Sequence, residues 1–289
     1  MRLDRYLRPA TVGECIDYLA EWGAEASLLA GGTDLIPKVR QGKLSVATVI
    51  DLAHIPALDR VAISGEGAAI GAMRRLSALQ KEDCLPSPMG VLRQCAGHVS
   101  SMQVRNAATL GGNICNASPA ADTVPGLLVL GAFARIQGKQ GAREMPLEAF
   151  FTGPGKTVLR PDELLTEIFI PHARPHTGAA YRKYAIRGDS DLAIVGAGAL
   201  VTLDADGRIA AARVALASVG PTPLLMTREA EMLIGMRAEA GLLREAAEAC
   251  AESCQPITDQ RATREYRKEM MRLWVRDALE GAVAAADTV

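Results

Sequence analysis

Aromatic side chains are scarce, 4% of 289 residues, although 49% of the chain is hydrophobic. The core must therefore be built of Ala, Val, Leu and Ile rather than of stacked rings. Neither sign of charge is in surplus: 32 Lys and Arg stand against 33 Asp and Glu, a net charge of −1. That balance removes the electrostatic reason to expect a nucleic-acid partner or an anionic membrane surface. No apolar run reaches the roughly 18 residues of a membrane span. Met1-Arg2-Leu3-Asp4-Arg5 has no apolar stretch of the secretory type, so a cytoplasmic protein is expected.

Metal-binding patterns are missing as well. Cys15, Cys84, Cys95, Cys115, Cys250 and Cys254 form no C-x-x-C pair, which points to reduced, buried thiols. His172 and His176 are spaced like helical ligands, but Pro171 and Pro175 forbid the helix. Hydrolase motifs are absent, and Gly153-Pro154-Gly155-Lys156-Thr157 fails as a P-loop because Phe150 stands where the first glycine is needed. Gly196-Ala197-Gly198 lacks the third glycine of a dinucleotide fingerprint and reads as close strand packing. Internal repeats and low-complexity tracts are lacking too.

What the chain does contain is two glycine segments of one kind. Between Asn106 and Ala121 no side chain is charged, and Gly111-Gly112 sits among Thr109, Asn113, Asn116 and Ser118. Adjacent glycines let a backbone approach a ligand closely or take positive φ, and backbone N–H groups in such a bend can wrap an anionic group. Taken alone, Gly-Gly-Asn reads more readily as a buried turn between two strands, and the second segment upstream changes that balance. Upstream, Leu28-Leu29-Ala30-Gly31-Gly32-Thr33-Asp34-Leu35 reads as a strand, a tight turn and a short helix, with Thr33 or Asp34 as N-cap. Two such segments suit the two phosphates of one dinucleotide.

Together, Leu28 to Leu35 and Ala108 to Asp122 resemble the FAD-binding medium subunits of molybdenum hydroxylases, the group of the xanthine dehydrogenase and carbon monoxide dehydrogenase flavoproteins. Leu164 to Pro171 and Lys183 to Ala193 are similar to later landmarks, so the resemblance spans nearly the whole chain. It implies an FAD-carrying electron-transfer subunit that takes electrons from the [2Fe–2S] clusters of a small partner subunit and passes them to an external acceptor. A molybdopterin-containing large subunit completes the implied heterotrimer or dimer of heterotrimers. The implied diphosphate cradle is Leu29, Ala30, Gly31, Gly32, Thr33 and Asp34 with Thr109, Gly111, Gly112 and Asn113. Asp122 is implied to hydrogen-bond the cofactor, or to cap the helix starting at Thr123. Leu164 would pack on the adenine or flavin, and Lys183 would approach the isoalloxazine unless it is a solvated surface lysine. Val99 matches a position near the flavin ring, or is simple core. The extra-cluster insertion of the 4-hydroxybenzoyl-CoA reductase flavin subunit is absent after Asp122, so no iron–sulfur centre is expected on this chain. A self-contained flavin oxidase or dehydrogenase and a non-enzymatic scaffold are the alternatives. Substrate and acceptor (NAD⁺, oxygen, a quinone or a ferredoxin) are not encoded in readable form.

The expected fold is α+β. A two-subdomain FAD-binding domain of the vanillyl-alcohol-oxidase-like (PCMH) type covers 1–175, with subdomains of about 1–54 and 55–175. An antiparallel sheet with helices on one face covers 176–289. Thr11-Val12-Gly13-Glu14 reads as a capping box opening a helix to about Glu21. Strands are expected at Ser27–Ala30, Thr48–Leu52, Ala132–Gln137 and 164–170, with hairpins at 61–71 and around Asp206-Gly207. Helices are expected near 76–83, 88–97, 227–235, 239–254 and 262–284. The stripe Tyr266, Met270, Leu273, Trp274 and Leu279 on the last of them reads as core or as a subunit contact.

Overall fold

The computed structural model describes residues 3–287. The chain opens with β1 (Arg5–Leu7), α1 (Val12–Trp22), β2 (Ala26–Leu29), α2 (Leu35–Arg40) and β3 (Thr48–Asp51). The strands form a parallel sheet in the order β1-β3-β2. The capping box is real: Thr11 Oγ1 accepts from the Glu14 N–H at 3.1 Å, and Glu14 reaches back to the Ala10 N–H at 2.7 Å. It fixes where α1 starts, and α1 buries Cys15, Ile16 and Leu19. All four residues of β3 are buried, as a central strand covered on both faces requires.

A second sheet follows, built from β4 (Val61–Ile63), β5 (Gly67–Gly71), β6 (Phe133–Gly138), β7 (Gly141–Pro146) and, after the small hairpin β8 (Phe151–Gly153) and β9 (Lys156–Thr157), β10 (Glu163–Pro171). It is antiparallel in the order β4-β5-β10-β6-β7. Pro171 belongs to β10 and does not merely follow it. It occupies the last register position, opposite Gly67, where a missing N–H costs least. Between β5 and β6 lie α3 (Leu76–Leu79), α4 (Val91–Gly97), α5 (Met102–Ala107), α6 (Leu110–Cys115) and α7 (Thr123–Val129). The helix expected over 76–83 is thus a single turn.

The third sheet is antiparallel, β11 (Thr177–Tyr184), β12 (Val195–Leu203), β13 (Ile209–Ala217) and β14 (Leu224–Leu225), followed by α8 (Thr227–Glu231), α9 (Ala240–Ser253) and α10 (Arg264–Ala286). Period-two alternation assigns its side chains to two cores. Ala180, Ala197, Ala199 and Val201 pack with α9 and α10. Ala179, Tyr181, Leu200 and Ala215 join the core of the five-stranded sheet and α7. The helices of this half, α8, α9 and α10, cover one face as expected, and α7, from the preceding half of the chain, packs on the other. Small residues permit both contacts. A Cβ on Gly178 would lie 2.2 Å from Ala282 O of α10, and one on Gly198 would lie 2.9 Å from Pro125 O of α7. Of the stripe on α10, Leu279 is buried, whereas Tyr266 and Leu273 are exposed.

Candidate FAD site

The two glycine segments meet. A Cβ on Gly31 would fall 2.1 Å from Ala107 O, so the backbones touch and only glycine fits. At the rim Asn116 joins them, donating from Nδ2 to Asp34 Oδ1 at 3.2 Å across 82 positions of sequence, and accepting from Lys38 Nζ at 2.9 Å. Asp34 spends its carboxylate there and gives α2 no side-chain cap.

The segments differ in how their N–H groups are spent. Gly32 takes φ +69, the left-handed region that favours glycine. The backbone N–H groups of Gly32, Thr33 and Asp34 find no acceptor among the described residues. The downstream glycines do not bend at all: Gly111 and Gly112 lie in α6, and the positive φ expected there is absent. Thr109 caps that helix, accepting the Gly112 N–H at 3.1 Å, while Leu110 and Gly111 donate to the carbonyls of Arg74 and Ala72. Gly111 is needed for packing, since its Cβ would stand 2.6 Å from that of Ala72. Asn113 Oδ1 accepts the Thr123 hydroxyl at 2.6 Å, tying α6 to α7.

These elements wall a cavity of about 710 Å³. Of the residues singled out in the sequence, Ala30, Gly31, Gly32, Thr33, Asp34, Val99, Thr109, Gly111, Gly112, Asn113, Asp122 and Leu164 line it. Leu29 and Lys183 do not. Leu29 ends β2 and packs beneath the turn, where a Cβ on Gly32 would meet its Cδ1 at 3.1 Å. Lys183 is no surface lysine, for its side chain is 2% exposed behind Asp122. Its Nζ donates to Asp122 Oδ2 at 3.0 Å and to His98 O at 2.8 Å.

Asp122 is the buried acidic group of the wall. It accepts the Tyr181 hydroxyl at 2.7 Å as well as Lys183, and it makes no capping bond to α7. Burial pushes its carboxyl above the usual range, against the pull of Lys183 and Tyr181. Tyr181 has room because residue 196 is glycine: a Cβ there would lie 2.6 Å from the hydroxyl.

Sequence reasoning missed several lining groups. Met73 and Ala72 follow β5, and Ser100 sits in the strained φ +49 region with its carbonyl held by buried Arg105 at 2.6 Å. Asp191 and Leu192, in the β11–β12 connection, close the cavity from the third sheet. β12 begins only at Val195, which frees those residues for the wall. Only the Lys183 to Ala193 resemblance pointed toward them.

The donor set fits FAD. Unspent backbone N–H groups with Lys38 suit a diphosphate, and the apolar wall of Leu28, Leu44, Leu52, Val99 and Leu164 suits flat rings. Among the described residues no group of three or more His, Cys, Asp or Glu side chains could hold a metal ion. Among the described residues no helix is long and apolar enough to cross a membrane.

Comparison with known proteins agrees with this geometry. The family model for the FAD binding domain in molybdopterin dehydrogenase matches residues 2–173, and that for the CO dehydrogenase flavoprotein C-terminal domain matches 165–282. The xanthine dehydrogenase FAD-binding subunit of Escherichia coli O157:H7 is 30% identical over 283 residues, 97% of this chain and 96% of the relative. Carbon monoxide dehydrogenase from Hydrogenophaga pseudoflava, solved in a form lacking the Mo-pyranopterin moiety of its molybdenum cofactor, superposes with a TM-score of 0.94 at 30% identity, covering 99% of this chain and 98% of that one. Quinoline 2-oxidoreductase from Pseudomonas putida 86 gives 0.91 at 27% identity, with 99% of both chains covered. The chain belongs to the FAD-binding flavoprotein subunits of the molybdopterin dehydrogenase family.

Proposed function

We propose that this chain is the FAD-carrying electron-transfer subunit of a molybdenum-containing hydroxylase. In that assembly, a heterotrimer or a dimer of heterotrimers, a molybdopterin-containing large subunit oxidises the substrate. A small subunit relays electrons through [2Fe–2S] clusters, and this chain passes them to an external acceptor. A cytoplasmic location belongs to the same reading, supported by six free cysteines. So does a division of the chain near 175, supported by the change from the five-stranded sheet to the sheet beginning at Thr177.

One observation favours a carrier over a self-contained oxidase: every acidic group lining the cavity is already bonded. Asp34 holds Asn116, Asp122 holds Tyr181 and Lys183, and Asp191 pairs with Arg187 at 2.9 Å. Each is tied into the wall, and none stands alone as an acid or base over the cavity. Bound FAD supplies a centre that accepts and releases electrons. The chain's own residues hold and insulate it. The N–H groups of Gly32, Thr33 and Asp34 would hold the diphosphate together with Lys38, and the apolar wall would exclude water. The Asp122–Lys183 pair fixes α7 against β11.

The test is titration of the purified chain with FAD, followed by absorbance and quenching of flavin fluorescence. One FAD per chain is expected, with affinity reduced at least tenfold in Gly32→Val, whose backbone must hold an unfavourable φ. A colourless chain that binds no FAD alone or with its partner subunits would sink the reading. Turnover of small substrates by the isolated, FAD-loaded chain would favour the oxidase alternative.

A further inference from the structure

A second cleft, of about 700 Å³, opens where the end of α7, the β6–β7 hairpin and the region from β13 to α8 meet. It shares no residue with the FAD cavity. Its walls are largely apolar, with Leu130, Phe133, Met226 and Ile234 among them. Into this setting β13 places Arg213. Its Nε is closed to solvent and has no hydrogen-bond partner, and the guanidinium makes no hydrogen bond or ion pair among the described residues. Gly131, at φ +67, lies beside it, where a Cβ would make ordinary contact with Arg213 Nη1 at 3.6 Å. Glu148 and Glu231 are exposed at the cleft's edge, and Glu148 acts on Arg213 only through space.

A half-buried guanidinium whose Nε is shut off from water without a partner is unfavourable, and its planar fork matches a carboxylate at two points. We propose that this cleft binds a small amphiphilic monocarboxylate, with the acid forked on Arg213 and the apolar body along Leu130, Phe133, Met226 and Ile234. One cation facing two rim carboxylates selects a single negative charge, because a second would lie against Glu148 or Glu231. The volume suits a ligand of small-molecule size.

Calorimetric titration of the FAD-loaded full chain with octanoate tests this, with octan-1-ol and inorganic phosphate as comparison ligands. Octanoate is expected to bind once per chain, octanol at least tenfold more weakly, and phosphate not at all. Arg213→Met is expected to cut octanoate affinity at least tenfold and to leave FAD binding unchanged. If that variant does not fold, Ile234→Asp on the exposed rim serves instead: it should weaken octanoate at least tenfold and octanol less, because octanol loses only the apolar contact. Equal affinities for octanoate and octanol, or parental affinity in the variant that folds, would overturn the proposal. So would loss of octanoate binding on assembly with the partner subunits, which would make the carboxylate a partner's side chain.

Discussion

Asp122 and Lys183 meet at 3.0 Å with side chains 8% and 2% exposed, so each is the charged partner that offsets the other's burial. Removing one leaves a charge stranded in a low-dielectric wall. Asp122→Ala is expected to cost about 3–5 kcal/mol, whereas an apolar replacement of both partners recovers most of that loss. Urea denaturation of both single variants and of Asp122→Leu with Lys183→Met provides the check. Additive losses in the double variant would show that the pair is not coupled. The resemblance pointed to both residues, but their pairing was not readable. Nothing in the spacing of positions 122 and 183 says that α7 and β11 cross at this point, and so Lys183 was expected at the flavin and not behind an aspartate.

At the scale of elements, α10 begins on a network that ties it to the third sheet. Arg267, 3% exposed, donates to Ile194 O at 2.8 Å and to Asp259 Oδ1 at 2.9 Å. Burial works to raise the Asp259 carboxyl, but the N–H groups of Arg261 and Ala262 and the Arg267 guanidinium outweigh it and hold the pKa at about 2, against an ordinary 3.8. A folded pKa below the unfolded one adds stability above pH 4 that disappears as the pH falls toward 2. Asp259→Asn is therefore expected to lower stability by about 2 kcal/mol at neutral pH, with the deficit vanishing toward pH 2. Denaturation curves at pH 7 and pH 2.5 decide it, and an equal deficit at both would contradict the assignment. Elements whose signals are local were legible: the Thr11–Glu14 box, the hairpin at Asp206-Gly207 and the long helix all stand where expected. Gly111-Gly112 misled because glycine pairs suggest bends. Here Thr109 caps a helix, the missing Cβ of Gly111 serves its packing on Ala72, and that of Gly112 leaves room for the Thr109 hydroxyl.

For the molecule as a whole, the third sheet is the middle layer, with α10 on one face and α7 on the other. The face toward α7 depends on Gly198, whose Cβ would press on Pro125 O at 2.9 Å. Gly198→Leu is expected to cost about 3 kcal/mol and also to weaken FAD binding, because α7 starts at the Asp122 wall. Gly207→Ala, at φ +70 with nothing within 4 Å of its Cβ, is the comparison: strained locally, with FAD affinity unchanged. Thermal melts and FAD titrations of the two variants separate the effects. Parental FAD affinity in Gly198→Leu would refute the link between layers. Long-range layering of this kind leaves no periodic trace, which is why the cover that α7 gives the second face was not legible.

Gly196 shows what such layering means for inheritance. It lines no cavity and belongs to neither glycine segment, so a missense change there would pass as a distant strand variant. Yet any side chain at that position meets the Tyr181 hydroxyl at 2.6 Å and competes with it for the space beside Asp122. Drift at position 196 is thus constrained by the flavin pocket, and an allele altered there should be scored with the pocket alleles.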